Sequence, residues 1–95
     1  MFKSKIIGMG HSVPENIITN DDLSKIMDTS DDWIQSRSGI KERRWATDDV
    51  STSGLAYEAS INAINNSKIN PSEIDMIIVG TLSSDYFFPG VSAQI

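Results

Sequence analysis

The chain has 95 residues, 39% hydrophobic and 22% charged, the composition of a globular protein and short enough for at most one small domain. Thirteen acidic against eight basic residues leave a net charge of −5, so no general basic face exists to neutralise a nucleic-acid backbone. There is no cysteine, which excludes a disulfide scaffold, a thiolate zinc site and a cysteine nucleophile within these residues, and the one histidine, His11, cannot build a metal site by itself.

The opening run MFKSKIIGMG is too short in apolar residues for a secretory signal, and no later segment approaches a membrane span. A cytoplasmic protein with no membrane partner is the expectation. Residues 3–10 read as a strand entering a core, with Gly8 and Gly10 marking a close backbone approach to another element. Val13 stands where a dinucleotide fingerprint needs its third glycine, so that motif is rejected. His11 to Pro14 is a turn, and His11 is an ordinary turn residue. Thr19-Asn20 then offers a cap. Asp21 and Asp22 fill a first turn, and Leu23, Ile26 and Met27 lie at helical spacing, giving a short helix to about Asp28.

The next stretch, TSDDWIQSRSGIKERR, carries the most information. Thr29 or Ser30 can cap a helix, Asp31 and Asp32 suit its positive end, and Gly39 suits the left-handed residue past its end. The four aspartates 21, 22, 31 and 32 read as helix-start charges, because neighbours on a helix point apart. Trp33 and Arg37 are one turn apart on the same face. Two readings of that pair stand side by side. One is a surface indole covered by an arginine stem. The other is a slot with two flat walls for a planar aromatic such as a purine, with a cation for nearby phosphate. Ile34 and Ile40 are the apolar anchors of this face.

Ile40 to Ala46 alternates loosely and suits an exposed strand, with Trp45 as a packing residue. Arg43 and Arg44 read first as ion-pair partners for the surplus acids and second as phosphate contacts. A longer helix is expected from about Ser51 to Ser67, with Leu55, Ala56, Ala59 and Ala63 in one stripe and Ile64 beside it, small enough for close approach to a sheet. Asn70-Pro71-Ser72-Glu73 has the cap, first-position proline and returning glutamate of a helix start. Met76 to Val79 is apolar without alternation, as in a strand covered on both faces. Strand, helices, strand, helix, strand is the order of a layered α/β fold. Beyond the carboxyl end of that strand, where ligands bind in such sheets, Tyr86, Phe87 and Phe88 bunch before Pro89-Gly90, and a helix starts at about Val91.

TSDDWIQSRSGIKER resembles the N-terminal signature of 3-oxoacyl-(acyl-carrier-protein) synthase III, a condensing enzyme of the thiolase fold. The resemblance also covers Gly8 and Gly10, the Pro14 turn, Thr19-Asn20 with Asp22-Leu23, Ser51-Thr52, the segment Ile77 to Thr81, and Phe88-Pro89. It implies that residues 1–95 are the N-terminal portion of a thiolase-like domain, a mixed sheet covered by helices, ending before the nucleophilic cysteine, so that no catalytic residue lies in this chain. It implies coenzyme A contacts at Trp33, Arg37 and Ser38, with serine where the family more often has threonine. Phe88 would reach the partner subunit's acyl pocket. Acyl-CoA is then a substrate, with no permanently bound cofactor, acyl carrier protein is a partner, and the intact enzyme is a homodimer. Related synthases, such as hydroxymethylglutaryl-CoA synthase or secondary-metabolite acyltransferases, share this signature. A non-catalytic binding module using the Trp33 slot and the aromatic loop is the alternative from another class.

Overall fold

The computed structural model describes all residues from Met1 to Ile95. They gather into two compact units: Val13–Asp49, and Met1–Ser12 together with Val50–Ile95.

In the unit of residues 13–49, strand β1 (Asn16–Thr19) pairs antiparallel with strand β2 (Glu42–Trp45), placing Asn16 opposite Trp45 and Thr19 opposite Glu42. The exposed strand expected after Ile40 is β2. Its partner β1 was not foreseen, although Ile17-Ile18-Thr19 is a β-branched run. Helix α1 (Asn20–Ser24) starts on a reciprocal cap: the Thr19 hydroxyl accepts from the Asp22 amide, and the Asp22 carboxylate accepts from the Thr19 amide. It ends well short of Asp28, because Lys25 and Ile26 bond back only three residues and the turn tightens. Ile26 and Met27 are exposed there rather than buried. Helix α2 (Asp31–Ser38) follows.

The other unit is built on helix α3 (Thr52–Ser67), capped by Ser51 as expected, with Lys68 in the left-handed conformation at its end. Residues 3–10 do not form a strand; they run as irregular chain along α3. The alanine stripe is still used for close approach. A Cβ added at Gly8 would lie 2.6 Å from the Ala63 carbonyl oxygen and 2.6 Å from the Ser67 Cβ. Asn66 and Asn62 secure this segment: the Asn66 Oδ1 accepts from the Met9 amide at 3.2 Å, and the Asn62 amide donates to the His11 carbonyl at 3.1 Å. Asn70 and Glu73 cap a single 3-10 turn, Pro71–Glu73.

The expected central strand is also corrected. Met76 to Val79 has no ladder, and Met76 and Ile78 are exposed rather than covered on both faces. A parallel strand is stable only between neighbours that take its backbone hydrogen bonds. The chain's single sheet has two strands, β1 and β2, and this segment is not one of them. A second short 3-10 turn, Val91–Ala93, stands where a helix start was expected, and Val91 is the one buried hydrophobic residue.

Candidate functional site

Helix α2 is held at both ends. The Ser30 hydroxyl accepts from the Trp33 amide at 3.2 Å, and Gly39, at φ 72°, turns the chain away while its amide donates to the Gln35 carbonyl. A side chain at Gly39 would strain that left-handed turn.

Trp33 is 57% exposed, and the Arg37 Cζ lies 5.6 Å from the centre of its ring. The spacing of the two residues thus produces the expected contact. The width of the slot is another matter. A base between two flat walls needs about 3.5 Å on each side, about 7 Å in all. At 5.6 Å the guanidinium occupies the stacking face itself. Arg37 takes no part in the chain's one ion pair, Lys25–Asp22, so a rotamer change opens the slot without breaking a salt bridge. Ser38 is already engaged: its hydroxyl donates to the Ile34 carbonyl at 2.8 Å and accepts from the Ile40 amide at 3.2 Å. With its proton committed to the helix, it meets a ligand only as an acceptor. Of the apolar anchors, Ile34 is half-buried and Ile40 is exposed.

What aims the helix was not read from the sequence. Asn20 is 1% exposed, the most buried polar residue in the chain. Its amide nitrogen donates to the Asp31 carboxylate at 2.7 Å and the Ile40 carbonyl at 2.8 Å, while its oxygen accepts from Arg43 at 2.6 Å. One side chain thereby ties the start of α2, the residue after its Gly39 cap and strand β2. The hydrogen bonds from Gln35 and Asn20 hold the Asp31 carboxyl below its ordinary pKa. Nothing in the local pattern distinguishes a buried Asn from a cap.

Arg43 and Arg44 make backbone contacts instead of the expected ion pairs. Arg43 donates to the Ile18 carbonyl and Arg44 to the Pro14 carbonyl. Both clamp the β1 side of the hairpin. Trp45 is half-exposed and not a packed core residue.

In the other unit, the loop from Thr81 to Gly90 carries Phe88, 91% exposed, and Phe87, also fully exposed. Asp85 in this loop accepts from the Thr52 and Ser53 amides at 2.7 and 2.8 Å, the first free N–H groups of α3. The Thr52 hydroxyl donates to the Ser83 carbonyl at 2.7 Å. Hydrogen bonding from Ser53, its side chain first and then its amide, holds the Asp85 carboxyl below its ordinary pKa, with Thr52 adding to it. The cap joins residues more than thirty positions apart, so no local signal announces it.

No family model matches the chain. Single proteins do. It is 54% identical over 90 residues to beta-ketoacyl-[acyl-carrier-protein] synthase III of Fusobacterium nucleatum, covering 95% of this chain and 27% of that protein. The protein of the same name from Xanthomonas campestris is 51% identical over 92 residues, 97% of this chain and 28% of that one. Among solved structures, 3-oxoacyl-[acyl-carrier-protein] synthase III from Aquifex aeolicus superposes with a TM-score of 0.86 at 44% identity, over 94% of this chain and 29% of that one. The chain thus spans little more than a quarter of the length of these relatives, and it shares their thiolase-like fold over that part. In sequence and in fold, the 95 residues are similar to part of the beta-ketoacyl-[acyl-carrier-protein] synthase III proteins.

Proposed function

We propose that residues 1–95 form the N-terminal portion of one condensing-enzyme domain and supply part of its coenzyme A-binding wall. The enzyme would join an acyl-CoA to malonyl-acyl-carrier protein and so start fatty acid synthesis, in the cytoplasm and as a homodimer. Trp33 and Arg37 stack on either side of the adenine, and the free lone pair of Ser38 accepts from the ligand. Phe88 reaches the partner subunit's acyl pocket. The nucleophilic thiol belongs to residues outside this chain, where it takes the acyl group before the decarboxylated malonyl carbon attacks the thioester. Splitting the transfer in this way replaces one hard step by two easier ones.

The observation that carries this reading is the Trp33–Arg37 contact, an exposed indole under an unpaired guanidinium on a helix fixed at both ends. The test is calorimetry with coenzyme A on the full-length protein and its Trp33→Ala variant. Loss of one base-stacking wall is expected to weaken binding by about 1–3 kcal/mol, roughly five- to 150-fold. Unchanged affinity would remove the slot from the site.

A further inference from the structure

The loop that carries the aromatic cluster is anchored by its own acid. Both Asp85 carboxylate oxygens are used on the opening amides of α3, at 2.7 and 2.8 Å, and the Thr52 hydroxyl adds a bond to Ser83 at 2.7 Å. Three hydrogen bonds therefore fix residues 83–85 to the start of a 16-residue helix. Tyr86, Phe87 and Phe88 follow immediately and are all exposed, so their own packing does not hold them. Downstream, the chain is gripped again at buried Val91, whose carbonyl accepts from the Gln94 amide. The aromatics span the gap between two fixed points.

We propose that Asp85 is a positioning residue: through the amides of Thr52 and Ser53 it sets where the Tyr86–Phe88 loop stands, and with it the reach of Phe88. The second half of this statement rests on the reading of Phe88 as an acyl-pocket residue; the first does not. A carboxylate is suited to the task because two oxygens meet two adjacent helix N–H groups, with the helix dipole adding attraction. An asparagine keeps one acceptor and a good cap, whereas an alanine keeps neither.

The experiment uses the full-length protein with Asp85→Ala, Asp85→Asn and Phe88→Ala. Chymotrypsin cutting after Tyr86 and Phe87 reports the freedom of the loop, and kcat/KM ratios across short, long and branched acyl-CoA primers report Phe88. Asp85→Ala is expected to be cut about fivefold faster, the size expected for a lost cap, with Asp85→Asn between it and the parent. Its primer ratios should shift in the same sense as those of Phe88→Ala, which itself is cut at the parent rate. Cleavage of Asp85→Ala at the parent rate overturns the positioning role. Faster cleavage with primer ratios unmoved in Phe88→Ala supports the anchor and sinks only the pocket reading. Faster cleavage with ratios moved in Phe88→Ala but not in Asp85→Ala overturns the link between anchor and reach.

Discussion

Asn20 shows how one buried amide can orient a site it does not touch. Its three side-chain hydrogen bonds join α2, the turn after it and β2, and an Asn has few better uses for its donors and acceptor. Asn20→Ala in the full-length protein should lower stability by about 2–3 kcal/mol, because the Arg43 and Ile40 groups lose their partner in a place water does not reach. Urea midpoints will measure it. The loss should be larger at neutral pH than in acid. Asp31 has a lowered pKa, so its contribution is fully present above its unfolded value near 4 and fades as pH falls through the folded value. Without Asn20 that depression shrinks, and the acid side of the stability profile becomes flatter. An equal loss at pH 7 and pH 3 would contradict the Asn20–Asp31 coupling. At this scale the sequence was half legible. Trp33, Arg37 and Ser38 were named from spacing and resemblance; the Ser38 hydroxyl is committed to the Ile34 carbonyl only four residues back, but the burial of Asn20 depends on neighbours twenty residues away and more.

At the scale of elements, what the sequence revealed is what the chain decides locally. Helix α2 was legible at both ends, since Ser30 and Gly39 act through their own backbone neighbourhood. So was α3, and so was the Asn70–Glu73 turn. Strands 3–10 and 76–79 were misread because a strand is completed by its partner, which periodicity cannot supply. The local control of α2 can be tested directly. Ser30→Ala removes the bond to the Trp33 amide and should cost about 1 kcal/mol in a chemical-denaturation series. It should also weaken coenzyme A binding, since Trp33 sits in the unlocked first turn. A Ser30→Ala protein of parent stability would mean that this cap contributes nothing and that α2 is held by its other contacts.

On the scale of the whole molecule, much apolar surface is left without cover. An open groove of about 790 Å³ is lined by Ile7, Tyr57, Ile61, Ile64, Met76 and Ile77. Patches of this kind are interaction surfaces in folded proteins, and the relatives are more than three times as long as this chain. The layered α/β architecture was read from the order of the elements and from the family likeness, but the two-stranded sheet seen here is β1–β2, not the sheet that the apolar run at Met76 was expected to join. The site is in better order, because its parts lie within a single helix and the side chain that aims it. The central claim is that an indole and a guanidinium one turn apart receive a nucleotide base once Arg37 swings aside. A crystal structure of the full-length protein with coenzyme A tests it most directly. The adenine should lie between the Trp33 ring and the Arg37 guanidinium, their separation widened from 5.6 Å to about 7 Å; an adenine bound elsewhere, with that pair still in contact, would contradict it.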